Sequence, residues 1–206
     1  FRLRIVEQPN TLTANYLRVS TIGLAECIRR VVQSSDWTRR FRLMGRGRGL
    51  GLACSSYLSG AGLPIYWNDL PHSAVQLKLD RSGGVTAFCG SAEIGQGSDD
   101  VLVACVAEVL GIEPFDIRAV TGDTDLTPVD LGSYSSRVTL MMGNAAVQAA
   151  TRARDILAEA VEKKLGVPRT RLVFAERRVF DAEDPDRGLP FRDAVYAAEA
   201  MFGAIG

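Results

Sequence analysis

Two short runs in the 206-residue chain set a polar side chain among glycines or small hydroxyl residues at the start of a helical pattern. In the first, Gln96 stands between Gly95 and Gly97 and is followed by Ser98. Glycine tolerates positive φ and the close approach of a ligand, and a primary amide donates and accepts at once. Ser98 is placed to cap the helix, with Asp99 and Asp100 in the positive field of its first turn. Those two acids argue against a free phosphate at that end, so Gln96 suits a heterocycle better than an anion. The second run, 132–144, passes through Gly132, Tyr134, Ser135, Ser136 and Arg137 into a longer helix. No acid occupies its opening turn, so free amides together with Ser135, Ser136 and Arg137 suit a phosphate. For each run the plainer alternative is a capped helix after a connector, with a surface arginine in the second.

The elements that must position these groups are legible in the periodicity. Residues 73–80 alternate Val75, Leu77 and Leu79 against Gln76 and Lys78, and 81–84 turn the chain into a second strand over 85–89. This is a hairpin that feeds straight into the glycine loop. A helix over about 99–110 follows, with Val101, Leu102, Cys105, Val109 and Leu110 as its buried face and Gly111 as its left-handed stop. A strand over 117–121 completes a β-β-α-β unit. The long helix from the second run reaches Leu165, ended by Gly166 and Pro168, with Ala145, Ala146, Ala149, Ala150 and Ala153 as a slim packing face. Gly143 inside it costs about 1 kcal/mol against alanine, which suggests close approach of another backbone or a ligand. Residues 171–180 read as one strand, 181–188 as a turn and 191–200 as a last helix. Towards the start, 1–19 read as irregular, 23–34 as a helix with Glu26 four before Arg30, and 50–58 as a strand. The predicted class is α+β, with 1–44 a helical connector and 45–206 the core.

Composition excludes several classes. Twenty-four basic residues balance 24 acidic ones, which leaves no electrostatic footprint for nucleic acid. The arginine-rich stretch 37–48 has no aromatic ladder, and the glycines at 45, 47, 49 and 51 open no helix, so neither a nucleic-acid patch nor a Rossmann fingerprint is assigned. No apolar run approaches the ~20 residues of a membrane span. Cys27, Cys54, Cys89 and Cys105 lie far apart and His72 is the sole histidine, so no metal site is predicted and the thiols are expected to be reduced and packed. Asp123, Asp125 and Asp130 mark a loop whose spacing is not that of an EF-hand. A start on Phe1 suggests a piece of a longer chain, and the expected location is the cytoplasm.

The ordered pair AEIGQGSDDVLVACVAEVLGI and GSYSSRVTLMMGNAA, about 40 residues apart, resembles the molybdenum-binding large subunit of the xanthine dehydrogenase and aldehyde oxidase family. GLAECIRRV before GRGLG, and LPFRDAV near the end, extend the resemblance over nearly the whole chain. The wording GSYSSRVT is most similar to the large subunit of 4-hydroxybenzoyl-CoA reductase.

The resemblance implies a cofactor-binding domain in which Gly95, Gln96, Gly97 and Ser98, with Ser135, Ser136 and Arg137, grip a molybdopterin cytosine dinucleotide carrying molybdenum. Gln96 matches the glutamine near the metal end. It also implies iron–sulfur clusters and FAD on other domains or subunits, and an aromatic substrate, as an acyl-CoA, for which Tyr134 would serve as general acid or hydrogen-bond donor. Relatives carry a glutamate base in a GxGE string, and no such string occurs in this chain. A non-catalytic interaction module is the alternative from another class.

Overall fold

A computed structural model describes residues 1–6, 8–14, 16, 18–55, 57 and 72–203. The chain divides into two units, Phe1–Tyr57 and Leu58–Gly206. In the first, helix α1 (Arg2–Ile5) precedes an antiparallel pair of two-residue strands, β1 (Thr11–Leu12) and β2 (Arg18–Val19), in a stretch expected to be irregular. Helix α2 (Leu24–Ser34) follows as expected, with Arg30 Nε donating to Glu26 Oε1 at 2.9 Å across one turn. A short helix α3 (Trp37–Arg40) then stacks Trp37 on Phe41 with ring centroids 4.5 Å apart.

The strand expected over 50–58 does not form among its described residues, 50–55 and 57; residues 56 and 58 lie outside the described set, as does Pro71. Alternation makes a strand only where a neighbour takes its backbone hydrogen bonds, and among the described residues the sheet of this unit contains β1 and β2 alone. Cys27 and Cys54 are exposed rather than packed: Cys27 lies on α2, which buries only Ile28, and Cys54 lies on no helix or strand.

The second unit opens with the hairpin β3 (Val75–Leu79) and β4 (Val85–Cys89), in register Val75 opposite Cys89 and Leu79 opposite Val85. Leu77, Leu79, Val85, Ala87 and Cys89 face the core while Gln76 and Lys78 face out, as the alternation dictates. From β4 the chain crosses through α4 (Ser98–Leu110) to β5 (Ile117–Thr121), which pairs parallel with β4. Parallel strands need such a crossover, and the result is the expected β-β-α-β unit in a sheet of order β3-β4-β5. The buried face of α4 is Leu102, Val106, Ala107 and Leu110, with Val101, Cys105 and Val109 only half buried. Helix α5 (Val138–Leu165) packs on α4 and buries the expected face at Ala146, Ala150 and Ala153, with Ala145 and Ala149 half buried and Met142 extending it.

Beyond α5, β6 (Leu172–Ala175) and β7 (Arg178–Asp181) are joined by a two-residue turn and β8 (Asp184–Pro190) adds an edge. The sequence reads 171–180 as a single strand because the turn residues, Glu176 and Arg177 at φ 53° and 58°, lack the usual Asn or Gly. Tertiary bonds hold them there: Arg177 N–H donates to Gly111 O at 2.9 Å, and its guanidinium grips Asp116 at 2.7 and 2.9 Å. Pro185, Gly188 and Pro190 make 181–188 look like a turn, yet proline is tolerated on an edge strand, and β8 is one. Helix α6 (Phe191–Phe202) closes the layer against α5, and one core runs from Leu77 to Ala198 through both three-stranded sheets. The fold class is thus α+β, as expected. No helix among the described residues is long and apolar enough to cross a membrane.

Candidate functional site

The C-terminal end of β4 and the start of α5 carry the two runs. Where β4 ends, Cys89 and Ser91 are buried, with the thiol donating to Ser91 Oγ at 3.3 Å. The chain then emerges at Ala92, and Gly95 and Gly97 take φ of 95° and 77°, which other residues adopt only with strain. A Cβ at either glycine would meet nothing within 4 Å, so the loop presents an open face.

Sequence reasoning assigns the helix cap to Ser98. The structure corrects this: Gly97 is the N-cap, Ser98 is the first helical residue, and its hydroxyl makes no cap bond. The capping anion is Glu93. Its Oε1 accepts from Gly95 N–H at 2.6 Å and Gly97 N–H at 3.1 Å, and its Oε2 from Asp99 N–H at 3.2 Å and Ser98 Oγ at 3.3 Å. The Asp99 amide first, then those of Gly97 and Gly95 and the Ser98 hydroxyl, hold this carboxyl down to about 2 against the opposing cost of desolvation. The N-cap amide of Gly97 and the first-turn amide of Asp99 are therefore taken by the protein's own carboxylate.

Gln96 is exposed, but its amide folds back on the loop. Oε1 accepts from Ile94 N–H at 2.6 Å, while Nε2 donates to Ala92 O at 3.1 Å and to Ser98 Oγ at 2.9 Å. Both donors of the amide are thus engaged, in contrast to the outward-pointing group that its place between two glycines suggests.

Ser133, absent from the sequence-level candidates, joins the two runs. Its hydroxyl donates to Ala92 O at 2.6 Å and accepts from Ala92 N–H at 3.2 Å, so one side chain 41 residues away completes the backbone of the first loop. The second run then turns through Ser135 and Ser136, both left-handed with φ of 54° and 53°, before α5 begins. Ser135 is buried and Ser136 exposed, and no acid lies in the first turn of α5. Tyr134, half buried, lies with its ring 5.6 Å from the Arg137 guanidinium carbon.

Arg137 is the N-cap residue of α5 and is 0% exposed, in contrast to a surface arginine. The sequence shows no acid beside it in the helical turn, yet Asp130, equally buried, accepts from its Nη1 at 2.9 Å. Nη1 also donates to Gly132 O at 2.7 Å and Nη2 to His72 O. Asp130 in turn accepts from Gly132 N–H at 2.8 Å and from the Ser73 hydroxyl. Arg137 Nε is buried without a partner among the described residues. This buried cluster fixes the second loop from beneath. Of the other loop acids, Asp123 caps a turn, its Oδ1 accepting from Asp125 N–H at 2.9 Å and Leu126 N–H at 3.2 Å.

Glu93 and Asp130 were both visible as letters. A carboxylate two residues before a Gly-x-Gly at a helix start, and an Asp and Arg seven apart across a hydroxyl-rich loop, are the signals that mark them. Ser133 has no such signal, since its partner is a backbone 41 residues distant.

Residues 30–204 match the model of the molybdopterin cofactor-binding domain. A xanthine dehydrogenase molybdenum-binding subunit of Escherichia coli O157:H7 is 34% identical over 137 residues, which cover 62% of this chain and 17% of that one. The gamma subunit of the 6-hydroxypseudooxynicotine dehydrogenase complex of Paenarthrobacter nicotinovorans is 36% identical over 133 residues, 62% of this chain and 16% of its own. Among solved structures, quinoline 2-oxidoreductase from Pseudomonas putida 86 superposes with a TM-score of 0.58 at 27% identity, over 64% of this chain and 16% of that one. The chain thus spans about a sixth of the length of these relatives, and with the matched model covering most of it, the chain belongs to the molybdopterin cofactor-binding domain family.

Proposed function

We propose that loops 92–98 and 132–137, within a core over 45–206, hold the molybdenum-bearing molybdopterin cytosine dinucleotide of an oxidoreductase. The observation that carries this reading is the double hydrogen bond of Ser133 to Ala92, which makes the two loops one surface. That surface fits the group. The face over Gly95, Gln96 and Gly97 is open, and the amides of Gly95, Gly97 and Asp99 are already taken by Glu93, so it suits a neutral pterin edge rather than an anion. The start of α5 is free of acids and suits the pyrophosphate, with Ser136 exposed and Ser135 and Arg137 shaping the turn. Arg137 Nε, buried without a partner among the described residues, leaves one donor of that guanidinium unused beneath the turn.

When bound, molybdenum with its pterin dithiolene supplies the two-electron exchange. For the substrate, the wording around Tyr134 supports reductive dehydroxylation, in which 4-hydroxybenzoyl-CoA takes two electrons and two protons to give benzoyl-CoA and water. Tyr134 supplies a proton from its Oη or a hydrogen bond to the ring. Electrons reach the site from iron–sulfur and flavin partners. A second reading, hydroxylation of an aldehyde or N-heterocycle, is favoured by the relatives, which include a xanthine dehydrogenase and a quinoline oxidoreductase.

Metal and pterin analysis of the full-length protein tests the cofactor reading, and a preparation lacking both sinks it. Ser133→Ala should lower cofactor occupancy, since Ala92 loses two bonds. Parallel assays with 4-hydroxybenzoyl-CoA and with quinoline or an aldehyde separate the substrates. With the first, Tyr134→Phe should slow turnover ~100-fold at unchanged molybdenum content. Wild-type turnover in that variant removes Tyr134 from the reaction.

A further inference from the structure

We propose that Glu93 is a positioning residue for Gln96: seated on three backbone amides, it accepts the hydrogen bond of the Ser98 hydroxyl and thereby fixes the orientation of the Gln96 amide. The inference rests on the cofactor reading above, in which Glu93 has no part in orienting Gln96. A serine hydroxyl has one proton and can donate it once. Ser98 Oγ donates to Glu93 Oε2 at 3.3 Å, so towards Gln96 it can act only as acceptor. The group that Gln96 turns to Ser98 must then be its NH2, as observed at 2.9 Å, and its carbonyl oxygen must fall to Ile94 N–H, as observed at 2.6 Å. The relay runs from Gln96 to Ser98 to Glu93, and its charged end polarises each bond in turn.

The two N–H groups of Gln96 are not equivalent in what they would leave behind. The first donates to Ala92 O, which also accepts from Ser133 Oγ at 2.6 Å, so releasing it leaves that carbonyl satisfied. The second is held by Ser98, whose oxygen has no other donor in the relay. The planar amide can therefore swing about its bond to Ser98, releasing Ala92 O and Ile94 N–H and presenting the first N–H to an oxygen of the cofactor while the second stays anchored. Without the carboxylate at 93, the Ser98 proton can donate to Oε1 instead, the amide can reverse, and the N–H is presented in the wrong place.

The test uses the full-length holoenzyme with Glu93→Gln, Ser98→Ala and Gln96→Leu, singly and combined. Molybdenum content, the Mo(V) paramagnetic resonance spectrum, kcat and KM are measured for each, along with backbone hydrogen exchange over 92–99. Glu93→Gln should raise exchange in that segment, shift the Mo(V) spectrum towards that of Gln96→Leu, and lower kcat about tenfold while KM changes little. Ser98→Ala, which leaves Glu93 on its amides, should shift the spectrum in the same direction, and neither change should add to Gln96→Leu. Should Glu93→Gln fail to fold, Ser98→Ala and its combination with Gln96→Leu decide alone. A Glu93→Gln or Ser98→Ala enzyme with the parent spectrum and kcat overturns the proposal, as does a loss that persists undiminished beside Gln96→Leu; Glu93 is then a helix cap only. A wild-type enzyme without molybdenum instead overturns the reading beneath it, and that result is visible before any variant is made.

Discussion

At the scale of single residues, the two helix starts are electrically unlike. Around the start of α4 stand Glu93, Asp99 and Asp100, while the start of α5 has no acid and an arginine that Asp130 already answers. The Asp130–Arg137 pair is completely buried, so removing one partner strands the other charge. Asp130→Ala or Arg137→Met should each cost about 3–5 kcal/mol in urea unfolding, whereas an exposed pair such as Glu26 with Arg30 should cost below about 1 kcal/mol. A loss under 1 kcal/mol for Arg137→Met would contradict the burial. Glu93 adds a pH dependence with a definite sign. Its folded value, about 2, lies below the ordinary value of 4.5, so the stability it gives is present above about 4.5 and is lost as pH falls through about 2. The difference in melting temperature between the wild type and Glu93→Gln should therefore be constant near neutrality and close between those two values. A difference that widens on acidification would reverse the assignment.

At the scale of elements, helix periods and glycine stops are strong local signals, and both long helices end at left-handed glycines, Gly111 and Gly166, as read from the sequence. The hairpin of β3 and β4 and the crossover to β5 were equally plain. The turn at Glu176 and Arg177 was hidden because the bonds that hold it come from Gly111 and Asp116, more than 60 residues back in the chain. Likewise the Gln96 loop and the start of α5 were legible as candidate sites, but the amides that seat Glu93, the bonds of Ser133 and the burial of Arg137 were not. Each depends on which backbone groups the fold brings near, and letters do not carry that. Gly143 shows the opposite case. Its presence in a helix suggested close approach, yet a Cβ there would meet only Cys105 Sγ at 3.8 Å, an ordinary contact. Gly143→Ala should thus stabilise the protein by about 0.5–1 kcal/mol through the helix alone. A destabilised variant would mean that α4 and α5 lie closer than this.

At the scale of the molecule, α5 is the member that links everything. It is 28 residues long, or about 42 Å, with the second loop at its start, and it packs on α4, β3, α6 and β8. The two sheets share one core, but only one end of that core carries the loops. Ligand that binds the folded state alone stabilises it, and does so first where the local openings are that binding must suppress. Removing the cofactor from the full-length protein should therefore raise hydrogen exchange over 92–98, 132–137 and the first turns of α4 and α5, and leave β6, β7, β8 and α6 unchanged. Ser133→Ala should reproduce part of the rise over 92–98 even with cofactor present, because Ala92 then lacks its cross-loop partner. If stripping the cofactor loosened β6–β8 as much as the loops, the site would extend through the core and the two-loop reading would fail. If neither loop responded, the cofactor would be held elsewhere in the parent protein.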